Sequence, residues 1–199
     1  MSTTATIIGP ADEGRRMSLD EFIDARGEGG RLYELSRGIV STVDEPNPRL
    51  LMTVNAVRNQ LMRPRQPHPD CIHMIASIGE CRLLIKDLES DRHPDLAVYK
   101  TPPPDSENAD EIWSQWIPEI VIEVVSPSSR FRDYQQKPEE YLRFGVHEYW
   151  IVDVADEAMK VLRRSGGQWA EWTLKAPETH KTRLLPGLEF SIAAMFEAK

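Results

Sequence analysis

Ile120-Val121-Ile122-Glu123-Val124-Val125, bounded by Pro118 and Pro127, is the stretch that decides the fold. It is apolar at both odd and even positions, so it predicts a strand covered on both faces and central in a sheet. One residue does not suit that interior. Glu123 costs free energy to bury unless a cation, a proton or hydrogen-bond donors lie close by, which makes it a candidate site residue.

A second acid comes from Arg92-His93-Pro94-Asp95-Leu96-Ala97-Val98-Tyr99. Pro94 cannot donate to a ladder and suits a strand's first position, and Asp95 follows just as the apolar stretch begins. The two acids are 28 residues apart, room for one strand, a connection through Thr101-Pro102-Pro103-Pro104, and the start of the next strand. The prolines are expected as a loop on the rim of the site. If the two strands pair, the carboxylates converge. Two hard oxygen ligands at a sheet edge suit a divalent cation such as magnesium, which takes few protein carboxylates and keeps several waters. Phosphodiester hydrolysis is a chemistry that such sites serve.

Around this pair the pattern is mixed α and β. Ser18 and Glu21 form a capping box with Met17 and Phe22 as its staple, predicting a helix from Leu19 to about Arg26, ended by Gly27, Gly29 and Gly30. Arg31 to Val43 alternates around Ser36-Arg37-Gly38 as a hairpin, which places Glu34 on a structured element. Asn47-Pro48 opens a long helix carrying Leu50, Val54, Val57 and Leu61, closed at Pro64. Cys71 to Ala76 and Cys81 to Ile85 read as neighbouring strands. Beyond Ser126-Pro127-Ser128-Ser129 the chain is helical to Phe144, with Gly145 after its end, and Tyr149-Trp150-Ile151-Val152 returns as a strand. Pro138 predicts extended backbone at Lys137 and a regular helix starting only at Pro138. A β-meander follows, with Met159 to Arg164 and Gln168 to Leu174 joined at Ser165-Gly166-Gly167, short strands near Leu184 and Phe190, and a last helical turn around Ala193 to Phe196.

The 199 residues suit one domain, read as residues 17–199 behind a flexible segment 1–16. No apolar run approaches the ~18 residues of a membrane-spanning helix, and the N-terminus lacks a secretory pattern, so a cytoplasmic location is expected. Cys71 and Cys81 have no metal-type spacing and read as packed free thiols. A formal net charge of −8 excludes broad, sequence-independent adhesion to nucleic acid, so any such contact is local. Arg58, Arg63 and Arg65, or Arg130, Arg132 and Lys137, could supply it, although either group also reads as solvated surface. Exposed apolar surface on the meander makes a homodimer an expectation.

Pro94-Asp95, Glu123-Val124-Val125-Ser126-Pro127, Asp133 and Lys137, and Gly145-Val146-His147-Glu148-Tyr149-Trp150 with Val152-Asp153, resemble the Uma-two family of restriction-endonuclease type, within the PD-(D/E)xK nuclease superfamily. The similarity runs from Tyr33-Glu34-Leu35 to Leu185-Pro186-Gly187-Leu188 and Phe196. The resemblance implies a restriction-endonuclease-like core, a mixed central sheet flanked by helices, acting as a nuclease on nucleic acid, DNA above all. It implies Mg2+ or Mn2+ held by Asp95 and Glu123, with Val124 among the metal-contacting positions and Glu34 as a further acid. The superfamily's lysine position, two residues after the second acid, is Val125 here. Members of this family draw the lysine from the following helix, which points to Lys137, placed to assist the attacking water or the phosphate.

Blander readings stand beside these. Asp95 suits a strand start, Glu34 a solvated hairpin, and Asp133 with Lys137 a surface ion pair. His93 and His147 have no second histidine at ligand spacing, and Tyr141, Phe144, Tyr149 and Trp150 suit core packing. Two alternatives to the nuclease remain: a degenerate nuclease fold acting as a binding or assembly module, and acids that serve structure alone, paired with Arg82 or Arg92.

Overall fold

The fold is described by a computed structural model that places residues 5–43, 47–63 and 71–197. Pro64 and Arg65, read above as a helix stop and a basic contact, lie outside these residues. The chain opens with β1 (Ile7–Ile8), α1 (Leu19–Ile23), β2 (Arg26–Gly27), the hairpin β3 (Tyr33–Ser36) and β4 (Ile39–Thr42), and α2 (Pro48–Met62). Next come β5 (Met74–Ser77), β6 (Leu83–Ile85), β7 (Ser90–Arg92), β8 (Leu96–Tyr99) and α3 (Ala109–Gln115). The remainder is β9 (Ile120–Val125), α4 (Lys137–Phe144), β10 (Glu148–Asp153), β11 (Ala158–Ser165), β12 (Gln168–Lys175), β13 (Thr179–His180), β14 (Phe190–Ser191) and α5 (Ile192–Phe196).

The expected mixed sheet flanked by helices is present. Six strands run in the order β12-β11-β10-β9-β8-β5, with β9 inside and buried at every residue. β9 and β10 are parallel through the α4 crossover, and the other neighbours are antiparallel. The two faces of β9 serve different layers. Ile120, Ile122 and Val124 pack with Val57 and Leu61 of α2 and Met195 of α5, whereas Val121 and Val125 pack with Tyr141 and Phe144 of α4. Glu123 shares the parity of Val121 and Val125 and therefore faces α4. A four-stranded sheet, β4-β3-β7-β6, lies on that side, where Leu83 and Ile85 join the same cluster.

Several expectations change. α1 is capped as read, with Ser18 and Glu21 reciprocally bonded, but it stops at Ile23 because Arg26–Gly27 pairs with Ile7–Ile8 instead. In residues 5–16, Ile8 is buried and Arg16 bridges Ile39. Met74–Ser77 and Leu83–Ile85 are not neighbours: β5 is the edge of the large sheet and β6 belongs to the small one. Cys71 and Cys81 are free thiols outside both strands, and burial pushes the Cys81 thiol up to about 12. β7 and α3 were not foreseen. Because β8 runs away from Asp95, Pro102, Pro103 and Pro104 lie at the far end of the sheet rather than on the site's rim, and none of them lines the cavity described below. The meander turns at Gly166-Gly167, both at positive φ, as a two-residue hairpin loop requires. Among the described residues, the exposed large apolar side chains lie outside the meander, at Leu51, Met52, Ile78 and Phe131 among others. No helix of the described residues is long and apolar enough to cross a membrane.

Candidate active site

The register of β8 on β9, with Leu96 opposite Ile122, carries Asp95 to the position opposite Glu123. The two acids lock each other's strands. Asp95 Oδ2 accepts from the Val124 N–H at 2.7 Å, and the Asp95 N–H points to Glu123 Oε2 at 3.4 Å. The other Glu123 oxygen, Oε1, is taken by two donors from α4: the Tyr141 hydroxyl at 2.6 Å and Lys137 Nζ at 2.9 Å. Each carboxylate thus has one oxygen held firmly, leaving Glu123 Oε2 with a single long contact.

Lys137 aims inward because the helix before it is wound differently from the sequence expectation. It is helical, with φ −59° and ψ −33°, not extended. Residues Arg132–Gln136 form a π turn, and the Lys137 N–H reaches back five residues to the Arg132 carbonyl. The wider turn lets Pro138, which has no N–H to give, sit inside a continuing helix. Lys137 Nζ also lies 3.0 Å from Asp133 Oδ1 and 3.9 Å from Glu34 Oε1. Asp133 Oδ2 accepts from the Ser129 hydroxyl at 2.6 Å, and the Tyr149 hydroxyl donates to the Asp133 carbonyl at 3.0 Å.

Glu34 belongs to a second, fully buried layer behind this floor. Its Oε1 accepts from the His93 N–H at 2.9 Å and its Oε2 from Arg92 at 3.0 Å. Arg92 also clamps Glu140 of α4 through Nε at 2.6 Å and Nη2 at 3.0 Å, and donates to Ser36 Oγ at 2.6 Å. The hairpin, β7 and α4 are fastened by one guanidinium. Of the three acids, Arg92 pairs with Glu34, while Glu123 is paired with Lys137 and Asp95 accepts from the Val124 N–H. Arg82 is engaged by Asp91 and Asp110.

The electrostatics separate the acids. Burial opposes the Glu34 charge, but Lys137 and Arg92 outweigh it and hold the carboxyl at about 2. Burial pushes Asp95 up to about 6 despite the Val124 N–H. Burial likewise drives Glu123 up to about 8, because the negative charges of Asp95, Asp133 and Glu34 add to it and Lys137 offsets only part. Lys137 itself stays charged, since its three acids overcome the cost of burying it. The floor is short of positive charge.

Glu34, Asp95, Glu123, Val124, Asp133 and Lys137 all line one half-enclosed cavity of about 250 Å³. Its opposite wall is apolar, from Leu50, Leu51 and Val54 of α2 with Ile78. A family profile described as "Uma2: Putative restriction endonuclease" matches residues 19–193. The chain belongs to this Uma2 family. The fold agrees: a "putative nuclease belonging to DUF820" from Anabaena variabilis superposes with a TM-score of 0.74 at 20% identity, over 90% of this chain and 97% of that one. None of the curated proteins matches.

The Uma2 chain brings together Asp95, Glu123, Lys137 and Glu34, the four catalytic candidates read from sequence. Val124 offers only a carbonyl beyond its N–H, which Asp95 has taken. Sequence reasoning assigned Tyr141 to core packing alone and gave Glu140 no role. A tyrosine four residues beyond Lys137 on an inward helix face was the available signal for the first. The second had none, since its partners lie 48 and 104 residues away.

Proposed function

We propose that this Uma2 chain is a divalent-metal-dependent nuclease that hydrolyses phosphodiester bonds, with DNA as substrate and Asp95 and Glu123 as the ion's protein ligands. The observation that carries the reading is the pair of register-opposed carboxylates at the cavity floor, each held by one oxygen and both pushed toward protonation by burial, with neighbouring acids adding to it. Their hard oxygens suit Mg2+ or Mn2+, which completes its shell with water. Such an ion, when bound, would polarise the phosphate and acidify a water.

The chain's own groups do the rest. Tyr141 fixes the Glu123 carboxylate, and the Val124 N–H fixes that of Asp95. Lys137 places a permanent positive charge beside Glu123, suited to steadying an attacking water or the charge that develops on the phosphate. Glu34 and Asp133 hold Lys137 in that position rather than binding the ion. Supercoiled plasmid with Mg2+ or Mn2+ should be nicked or cut by the purified protein, and Glu123→Ala and Asp95→Asn should abolish this. Equal activity in both variants would overturn the assignment.

A second reading keeps the fold and drops turnover. It draws on one observation: among the described residues no three His, Cys, Asp or Glu side chains form a metal-binding group. Calorimetric titration with Mn2+ decides, because a binding or assembly module of this kind predicts no heat dependent on Asp95.

A further inference from the structure

The reacting groups are sunk rather than displayed. Glu123 is 3% exposed, Lys137 5% and Asp133, which holds it, 1%, while Asp95 is half-buried, at the bottom of a cavity whose facing wall is the apolar side of α2 with Ile78. A phosphate on an intact duplex sits on a stiff convex surface, which reaches such a floor less readily than a flexible single strand does. The charge around the cavity points the same way. Among the described residues, its lining carries the cations Arg132 and Lys137 against Glu34, Asp95, Glu123 and Asp133. Nearby Arg130 pairs with Asp153 and Asp156, and Arg58 donates to Ser77 and lies 4.0 Å from Glu80. The chain as a whole carries −8. Phosphate neutralisation, which supplies most duplex affinity, is therefore scarce here. What the cavity does offer is an apolar face on which Leu51 is 45% and Ile78 40% exposed, with the amide of Asn55 beside it.

We propose that the substrate enters as an unpaired strand, with the nucleobase beside the scissile phosphate packed against Leu50, Leu51, Val54 and Ile78. Base packing on this aliphatic wall then supplies affinity that the cavity's charges do not, in contrast to single-strand binders that join aromatic stacking to a positively charged groove. The proposal rests on the nuclease reading for its scissile phosphate, but strand binding is measurable without turnover.

The test uses a fluorescent 12-nucleotide DNA, single-stranded and as a blunt duplex, with the full-length protein. With Mn2+, the single strand should be cut at least about tenfold faster than the duplex. With Ca2+, anisotropy should show the single strand bound more tightly. Its salt slope should be no steeper than about −1.4, the value for two neutralised phosphates at −0.7 each. Leu51→Asp and the neutral Leu51→Asn, at an exposed position, should each weaken strand binding about tenfold, with Mn2+ binding unchanged in the neutral variant. Duplex cut as fast as single strand, or strand binding indifferent to Leu51→Asp, overturns the proposal and leaves the nuclease reading standing. If neither DNA is cut, the nuclease reading fails, and Leu51-dependent preference for the single strand in anisotropy still decides the proposal. If Leu51→Asp instead splits a dimer without touching strand binding, the wall is a self-association surface and the proposal is overturned.

Discussion

Manganese affinity should climb steeply with pH, because protons occupy the carboxylates that the ion needs. In the metal-free protein Glu123 titrates at about 8 and Asp95 at about 6, against ordinary values of 4.5 and 3.8. Both are raised, so each favours the folded state fully below its unfolded value, and that contribution is lost as pH rises through 6 for Asp95 and 8 for Glu123. The span from 4.5 to 8 corresponds to about 5 kcal/mol and that from 3.8 to 6 to about 3 kcal/mol, both upper bounds for groups that reach a cavity. Glu34 runs the other way. Held at about 2, its contribution of about 3 kcal/mol is present above 4.5 and lost only as pH falls through 2, so it does not shape the neutral range.

A divalent ion must displace whatever protons remain. At pH 7 Glu123 is about nine-tenths protonated and Asp95 about one-tenth, so binding should release about one proton, and between pH 5.5 and 8 the apparent affinity should rise several hundredfold. Isothermal titration with Mn2+ at pH 5.5, 7 and 8, repeated in buffers of different ionisation enthalpy, reads both quantities. Thermal unfolding without metal should show stability falling over the same range. An affinity that changes less than about threefold, with no proton release at pH 7, would refute the reasoning that two proton-holding acids are the ligands.

Two further outcomes follow from the polar layers behind the floor. Tyr141→Phe removes the 2.6 Å donor to Glu123 and little volume, so stability should fall by only about 1 kcal/mol while Mn2+ affinity drops about tenfold or more; unchanged affinity would show that Tyr141 does not position the acid. Arg92→Leu strands Glu34 and Glu140 in the interior, which should cost about 3–5 kcal/mol and lower Tm by roughly 10 °C, measured by scanning calorimetry; a loss under about 1 kcal/mol would show that the clamp contributes little.

How much of this was legible follows the range over which each residue's environment is set. Glu123 stood out because its neighbours in sequence are also its neighbours in the sheet, and Asp95 because a proline marks a strand start. Their pairing then follows from strand register. β7 was invisible for the opposite reason: Ser90-Asp91-Arg92 is polar at every position, and only partners 48 to 58 residues away make burying Arg92 tolerable. Lys137 was misjudged locally. The pre-proline rule is a local preference that Lys137 overrides by taking helical angles, and the π turn of Arg132–Gln136 spares the Pro138 ring the carbonyl it would meet in a regular α turn. Cys71 to Ala76 and Cys81 to Ile85 read as neighbouring strands because only a short link separates them, yet the chain crosses between sheets there.

The arrangement of charge argues for a site over a merely structural network. Arg92 satisfies Glu34 and Glu140 with ordinary buried-pair geometry, and Glu34 stays fully charged against its burial because Lys137 and Arg92 face it. Nothing equivalent is done for Asp95 and Glu123, although continuing the apolar run through Glu123 would spare the sheet its most costly residue. Lys137 cannot neutralise both, since it is shared with Asp133 and Glu34. A layer that is fully compensated lies directly behind one that is not, and the uncompensated layer is the one that opens into the cavity. Conflict between burial and charge that persists at one place in an otherwise consistent fold is what the proposed nuclease site requires, since a bound cation would supply the charge that no side chain there supplies.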